Sequence, residues 1–416
     1  MVKPDKRVIN AWAFYDWANS VYPLIITTAI FPIYYSKVTP EKVFVFGKSF
    51  YSSEIYSYAI SLSFLIVAFL SPLLSGIADY YSRKKFFLKT FCYLGASTTA
   101  LLFFYNGQNI IFGMLMIILA SIGFWSSLVF YNAFLPAIAP PSMHDKVSAK
   151  GYALGYIGSS ILLIALLTGI MAFEMPAKWA FPITAVWWAG FAQYTYKNLP
   201  EPENDMMSKG THILLKGFKE LAHAYQGVKE LPYLKIFLLA FFIYSMGVQT
   251  VMQMATLFGI QEINNMPESG LIISVLIIQF IAVAGSYGFS FLSGKMGNVK
   301  ALAVSLIIWI VICIIAYFIY NPWEFYALAA LVGLVMGGIQ SLSRSTYSKM
   351  LPPTKDLASY FSFYDITEKI GVVVGTFSFG WIVGITGSMR NSVFALLLYF
   401  LIGLIIITRV KYNWKK

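Results

Sequence analysis

The run AWAFYDWANSVYPLIITTAIFPIYY, Ala11–Tyr35, is almost entirely apolar and aromatic, yet it carries a carboxylate at Asp16 and a carboxamide at Asn19. A helix that crosses the hydrocarbon core of a bilayer needs about 20 predominantly apolar residues. The run is long enough for this and longer than the apolar core of a cleaved signal peptide. We therefore expect it to be a retained first transmembrane helix, in which two polar residues are unusual.

The composition of the whole chain agrees with a membrane protein. Of 416 residues, 58% are hydrophobic and only 12% are charged, whereas soluble domains are about 25% charged. The net charge of +12 is spread over short loops and forms no basic domain, so we expect no nucleic-acid partner. Cys92, Cys313 and three scattered histidines show no metal-ligand spacing, and the chain has no Walker loop or HExxH motif. The sequence predicts no metal, no cofactor and no enzymatic activity.

Twelve apolar runs bounded by charged residues, Pro, Asn or Gly follow one another along the chain. They lie near residues 11–35, 55–77, 87–105, 110–135, 151–172, 179–196, 232–258, 270–292, 300–319, 324–343, 360–385 and 391–409. The one long polar stretch separates six runs from six. We predict an N-terminal six-helix bundle at 1–197, a cytoplasmic linker at 198–231 with a possible amphipathic helix, and a C-terminal six-helix bundle at 232–416.

A weak internal repeat supports this division. FYDWANS at Phe14–Ser20 occupies the place in the first half that IYSMGVQT at Ile243–Thr250 occupies in the second, and LSG triplets from Leu74 and Leu292 each end an even-numbered run. Twelve spans with a central loop and a repeat are typical of a duplicated carrier.

The distribution of Lys and Arg predicts the orientation. If the N-terminus is cytoplasmic, all but five of the 30 Lys and Arg residues lie on the cytoplasmic side. The exceptions are Lys37, Lys42, Lys48, Lys178 and Arg390. The positive-inside rule then places both termini in the cytoplasm.

Several motifs resemble those of a known family. GIADYYSRKK, Gly76–Lys85, is similar to the loop 2–3 signature of the major facilitator superfamily: a Gly, an Asp three residues on, then a basic cluster. WAFYDWANSVYPLIITTAIFP, SAKGYALGYIG, GGIQSLSRSTYSKMLP and YFSFYDITEKIG resemble the branch that contains the fungal autophagy-linked vacuolar amino-acid effluxer and its bacterial relatives. The resemblance implies an all-α membrane protein, with twelve transmembrane helices in two pseudo-symmetric six-helix bundles around a central cavity.

Three departures from the superfamily patterns affect the expected mechanism. The fourth span lacks the Arg of many proton-coupled drug antiporters, the second-half counterpart SGKMGNVK lacks the Asp, and Met246 stands where relatives often carry an acidic residue. These departures do not favour the coupling scheme of drug antiporters.

Asp16 lies about 9 Å into the first span at 1.5 Å of rise per residue, where an unpaired carboxylate costs several kcal/mol. It must face protein or water. Asn19, three residues on, shares its face, and Tyr15 is adjacent, so we expect this face to line the central cavity. Asp16 then accepts a proton or binds a cationic group such as a substrate amine; the alternative is a structural carboxylate between helices.

A second polar cluster lies on the eleventh span. Asp365, Glu368 and Lys369 are neighbours at helical spacing, and Arg344 at the end of the tenth span lies at the same depth. We predict that Arg344 pairs with Asp365 or Glu368. The cluster is either a structural or gating ion-pair network or a proton-coupling site with Glu368 as the titrating group, and Gln249 is a further candidate for the cavity wall.

Asp79, Arg83 and the two following lysines form the third cluster. By the resemblance, Asp79 faces the N-terminus of the eleventh span and forms a breakable electrostatic latch. Arg83 and the two lysines are expected to be conformational residues of this gate, with positive-inside anchoring as the alternative.

The sequence therefore predicts a secondary active transporter in a bacterial cytoplasmic membrane, monomeric, without a bound cofactor. It would move a small polar or amphiphilic solute by alternating access, with an amino acid as the first guess and protons as possible partners. The alternatives are efflux of drug-like or lipid-like amphiphiles and, less favoured, a channel or receptor.

Overall fold

The computed structural model describes residues 5–45, 47–200 and 213–412, leaving aside the side chains of 213–217 and 268. Twelve transmembrane segments follow in chain order and are called spans 1 to 12. The helices of spans 1 to 6 are Lys6–Asn19, Tyr22–Ala29 and Phe31–Val38 (together span 1), Ser52–Tyr80, Lys84–Leu101, Ile110–Ala133, His144–Ala172 and Ala180–Asn198. The helices of spans 7 to 12 are Pro232–Glu262, Glu268–Met296, Asn298–Phe318, Pro322–Met350, Leu357–Thr386 and Met389–Ile407.

The predicted all-α fold with twelve spans is confirmed. Eleven helices in the described ranges are long and apolar enough to cross a membrane. The twelfth is span 6, whose last turns carry Gln193, Lys197 and Asn198 and so lower its hydropathy. The helices extend beyond the predicted limits: span 5 begins at His144 and span 10 ends at Met350. The extra turns are polar, and Ser148, Arg344 and Lys349 among them make contacts that the sequence pattern does not reveal.

Span 1 changes helix type in its middle. After the α-helix Lys6–Asn19, residues Tyr22–Ala29 are wound as a π-helix. Thr27 and Thr28 both donate their hydroxyls to the carbonyl of Pro23, at 2.6 and 2.9 Å. These bonds lie about two to three turns beyond Asp16, and π-helical turns are frequent at functional sites.

Spans 1 to 6 pack mainly against one another, and spans 7 to 12 do the same. The two sets meet where span 11 packs on spans 2 and 4 and where span 5 packs on spans 8 and 10. We call them the first and second set. The exact bundle boundaries at 197/198 and 231/232 stay a prediction.

Two smaller elements complete the fold. Strands β1 (Lys42–Val45) and β2 (Lys48–Tyr51) form an antiparallel hairpin between spans 1 and 2. A helix at Ile213–Glu230, the linker helix, packs against spans 2 and 11. The rest of the predicted linker, residues 201–212, lies outside the described residues.

Both described chain ends lie on one side of the bundle, which we call the terminus face. Asn10 near the start accepts a hydrogen bond from Lys150, and Tyr412 near the end donates one to the carbonyl of Lys349. The hairpin of β1 and β2 lies on the opposite side, the hairpin face.

Candidate transport site and gates

A buried ion pair joins the two sets near the terminus face. The Arg344 guanidinium on span 10 lies 3.1 and 3.2 Å, through Nη2 and Nη1, from Oδ2 of Asp16 on span 1. The two residues are 2% and 5% exposed. A buried ion pair of this kind persists only where further hydrogen bonds offset the loss of water.

Spans 4 and 5 supply those further bonds. The Tyr131 hydroxyl donates to Asp16 Oδ2 at 2.8 Å. Arg344 donates from Nε to the Ser148 hydroxyl at 2.9 Å and from Nη2 to the Ser148 carbonyl at 3.0 Å, and Nη1 lies 3.4 Å from Asn132 Oδ1. Every partner of Arg344 in this group belongs to the first set, so span 10 inserts its cation into a socket made by spans 1, 4 and 5.

Three aromatic rings enclose the guanidinium. Its carbon lies 4.1 Å from the ring centre of Tyr152, 4.9 Å from Trp12 and 5.5 Å from Tyr131. All three distances are within the range of cation–π attraction. Trp12 stacks on Tyr131 at 4.5 Å and donates its indole N–H to the Tyr131 carbonyl at 2.9 Å. We call Asp16, Trp12, Tyr131 and Tyr152 the cation cage.

A glycine on span 5 makes room for the ion pair. A Cβ built on Gly151 would collide with Asp16 Oδ2 and would lie 3.0 Å from Arg344 Nη2 and 3.2 Å from the Tyr131 hydroxyl. The ion pair therefore requires the absence of a side chain at this position.

The prediction that Arg344 pairs with Asp365 or Glu368 is wrong. Depth in the membrane was the basis of that prediction, and depth does not say which side of span 10 faces which helix. Arg344 points across the interface between the sets to Asp16. Within the second set, Lys369 is the cation that pairs with Asp365 and Glu368.

Lys369 binds both predicted carboxylates of span 11. Its ammonium lies 3.0 Å from Asp365 Oδ1 and 3.1 Å from Glu368 Oε2. It also lies 3.5 Å from the ring centre of Trp125 on span 4 in the first set. The Gln249 amide of span 7 donates to Glu368 Oε1 at 2.7 Å. The second oxygen of Asp365 is buried and has no hydrogen-bond partner in the described part of the chain.

Two cavities adjoin this cluster. One of about 20 Å³ lies among Tyr152, Gln249, Gln340 and Glu368, which is room for about one water. Gln340 of its lining accepts a hydrogen bond from the Tyr156 hydroxyl of span 5 at 2.5 Å. The other, about 350 Å³, is an apolar groove between spans 2 and 11 with Lys369 among its lining residues. Tyr152 is shared by the cation cage and the smaller cavity, because its ring contacts Arg344 and also lines that cavity.

Asp79 lies where the resemblance implied. Its two oxygens accept the backbone N–H groups of Ala358 and Ser359, at 3.1 and 2.7 Å, in the first turn of span 11. Lys84 completes the site at 3.2 Å. Of the basic cluster, Lys84 pairs with Asp79, whereas Arg83 is exposed.

A second latch was missed in the sequence. Asp145 at the start of span 5 accepts hydrogen bonds from Ser293 and Asn298 at 2.8 Å each and lies 2.6 Å from the Lys349 ammonium. Ser293 and Asn298 flank the link between spans 8 and 9, the repeat counterpart of the Asp79 loop. The link between spans 8 and 9 lacks the carboxylate that the Asp79 loop has, and Asp145 of span 5 supplies it from the other side. The acidic residue in the first turn of span 5 was the sequence feature that could have indicated this latch.

Two candidates of span 1, Tyr15 and Asn19, make no hydrogen bond to the ion pair in the described part of the chain, although the Tyr15 ring packs 5.0 Å from that of Tyr131. Tyr15 is fully buried inside the first set and donates to the Ser127 hydroxyl at 3.1 Å, so it does not line a central cavity. Asn19 is 1% exposed, and no hydrogen bond in the described ranges joins it to Asp16. Asp16 and Asn19 lie about one turn apart on the same α-helix, Lys6–Asn19, but a shared helix face does not by itself bring the Asn19 side chain to the ion pair.

One surface group has the ligand types of a metal site. Glu220 and His223 of the linker helix and Asp356 before span 11 place their ligand atoms within 4.8 Å of one another. His223 Nδ1 lies 3.0 Å from Asp356 Oδ2. Partial burial and the charge of Asp356 raise the pKa of the Glu220 carboxyl above its usual value.

Comparison with solved structures defines the class of the fold. The chain superposes on a fucose transporter, FucP, in the outward conformation with a TM-score of 0.71, over 98% of this chain and 99% of that one at 13% identity. It superposes on the human organic anion transporter MFSD10 with a TM-score of 0.73, over 97% and 100% of the two chains at 11% identity. The fold is that of a major facilitator superfamily transporter.

Sequence comparison narrows this class. The family model described as "Vacuole effluxer Atg22 like" matches residues 4–416, and the chain belongs to that family. It is 34% identical to the "Uncharacterized MFS-type transporter YxiO" of Bacillus subtilis, over 99% of this chain and 96% of the relative. It is 24% identical to "Autophagy-related protein 22-1" of Penicillium rubens, over 89% and 78% of the two chains. The protein is a multi-pass membrane transporter, and its relatives are transporters rather than enzymes.

Proposed function

We propose that this chain is a monomeric secondary active transporter of a bacterial cytoplasmic membrane, with the terminus face in the cytoplasm. It moves a small solute by alternating access, and an amino acid is the first candidate. The orientation is supported by the Lys and Arg distribution. The transporter class is supported by the family description, vacuole effluxer, and the amino acid as first candidate is supported by the sequence resemblance alone.

The observation that carries the proposal is the set of polar connections between the two sets. The Asp16–Arg344 pair, the Asp145–Lys349 pair and the Asp79 contacts with span 11 all join the sets at or near the terminus face. A carrier that alternates must break and remake such contacts, whereas a rigid channel has no need of them. Their shared location supports a state that is closed on the terminus face.

The cluster around Lys369 supports proton coupling as the energy source. Two carboxylates share one ammonium, so the group carries one negative charge in excess when all three are ionised. Glu368 is the most exposed of the three, with a fifth of its side chain accessible, and it lines the smaller cavity. A proton on Glu368 would neutralise this excess negative charge before the cluster moves during transport. The alternative role for the cluster is that of a gate.

The groove between spans 2 and 11 favours a second candidate function, efflux of an amphiphile. It offers about 350 Å³ of apolar volume next to Lys369. Leu62, Leu65 and Val373 of its lining are about half exposed, as expected for side chains that face lipid. A solute with an apolar arm could enter from the bilayer by this route.

Counterflow in proteoliposomes tests the proposal. Vesicles preloaded with each unlabelled amino acid are diluted into the labelled one, and a carrier gives a transient, saturable overshoot. Unsaturable downhill flux would overturn the carrier assignment. Overshoot for amphiphilic organic ions alone would replace the amino acid by the second candidate. Substrate-driven flux without a pH change inside the vesicles would remove the coupling role of Glu368.

A further inference from the structure

We propose that the cation cage is a binding site for an alkylammonium group, and that Arg344 occupies it as an internal substitute for that ligand. This inference rests on the proposed alternating access and names the chemical class of the solute: one with a primary or secondary amine. Binding of that amine at Asp16 would replace the contact that holds the two sets together.

The construction of the cage is the first reason. Asp16 supplies one carboxylate, and the rings of Trp12, Tyr131 and Tyr152 surround the position of the cation. Aromatic rings with a carboxylate are the usual means by which proteins recognise organic ammonium groups. The cage is rigid, because Trp12 and Tyr131 are stacked and joined by a hydrogen bond.

The second reason is that the cage and the cation that occupies it belong to different sets. The carboxylate and all three rings belong to the first set, and only the cation comes from the second. When the sets separate on the terminus face, Arg344 leaves with span 10 and Asp16 stays behind in the cage. An unpaired carboxylate at this depth costs several kcal/mol. A solute ammonium offsets this cost and uses the rings that Arg344 has left.

The consequence is competition between Arg344 and the solute amine. A ligand that binds only when a site is vacated has its apparent affinity reduced by the fraction of time the site is free. Removal of Arg344 should therefore raise the affinity for a small alkylammonium ion. A purely structural ion pair predicts no such gain, since nothing then selects an ammonium group.

Isothermal titration calorimetry of the full-length protein in detergent, with ethylammonium chloride against sodium chloride at equal ionic strength, tests this. We expect Arg344→Ala to bind ethylammonium at least tenfold more tightly than wild type, and Arg344→Ala with Asp16→Asn to lose that gain. Ethylguanidinium, which resembles the missing side chain, shows whether the cage is intact. Lys349→Ala is the matched control, because it breaks the other ion pair between the sets without touching the cage.

The outcomes separate this inference from the proposed function. Arg344→Ala that binds ethylguanidinium but not ethylammonium overturns the inference, as does an equal gain in Lys349→Ala, and neither result bears on counterflow by the wild type. If Arg344→Ala is not monodisperse, Arg344→Gln takes its place, since it keeps a donor for Ser148. Should neither variant fold, spin labels at Lys197→Cys and Lys300→Cys measure the distance between the sets in otherwise wild-type protein, and a distance that ethylammonium leaves unchanged overturns the inference.

Discussion

Replacing Asp16 by Asn should open the terminus face. The substitution keeps the shape and a hydrogen-bond acceptor for Tyr131, but it leaves the guanidinium of Arg344 without a counter-charge at a position that is 2% exposed. Removing one partner of a buried ion pair costs about 3–5 kcal/mol. Because Asn still accepts hydrogen bonds, we expect a cost at the lower end of this range.

The substitution raises the free energy of the closed state by about 3 kcal/mol. It does not raise that of the open state, because Arg344 can reach water when the sets separate. This cost corresponds to a roughly hundredfold change in the ratio of closed to open molecules. The assay is double electron–electron resonance between spin labels at Lys197→Cys and Lys300→Cys, in a background with Cys92 and Cys313 replaced by Ala. Lys197 ends span 6 and Lys300 begins span 9, so the pair reports the separation of the sets at the terminus face.

Wild type should give mainly the short distance, and Asp16→Asn should shift most of the population to a longer one. Tyr15→Phe is the matched control: it removes a buried hydrogen bond from the same helix, but the bond to Ser127 lies within the first set. An unchanged distance distribution in Asp16→Asn, together with unchanged transport, would show that the ion pair does not hold the sets closed.

Three further perturbations have defined outcomes. Gly151→Ala should lower the thermal midpoint and shift the spin-label distance in the direction of Asp16→Asn, because its Cβ enters the ion pair; a midpoint and distance equal to wild type would contradict this. Asp79→Asn should weaken the cap on span 11 and speed cysteine labelling at Ser359→Cys, and equal labelling rates with and without the change would count against the latch. The raised pKa of Glu220 means that the docked linker helix binds the proton more tightly, so docking should strengthen as pH falls. The measurement is hydrogen exchange of the linker helix in a His223→Gln background, corrected for intrinsic exchange rates, and the exchange should slow at mildly acidic pH. Glu220→Gln should abolish that pH dependence. A pH dependence that persists in Glu220→Gln would assign it to another group.

The sequence predicted the helices well, because an uninterrupted apolar run of membrane length rarely forms anything but a transmembrane helix. It also indicated that Asp16 needs a partner in protein, since a lone carboxylate in lipid is costly. The Asp79 position followed from the resemblance and from the preference of helix N-termini for acidic groups. These features depend on local sequence and on the bilayer.

The partner of Arg344 could not be predicted in this way. Asp16 and Arg344 are separated by most of the chain, and which face of span 10 meets span 1 is set by how the two sets dock. The same holds for Asp145, whose partners lie on the far side of the interface. Helical spacing correctly grouped Asp365, Glu368 and Lys369, because those contacts lie within one helix.

The central claim is that the contacts at the terminus face break during transport. Lys84→Cys and Lys355→Cys place thiols at the start of span 3 and in the loop before span 11, where Lys84 donates to the Lys355 carbonyl at 3.2 Å. Counterflow of the amino-acid panel is measured before and after a short reducible bis-methanethiosulfonate joins them. The account predicts that saturable counterflow stops on crosslinking and returns on reduction. Counterflow that continues at its full rate in the crosslinked protein would contradict it.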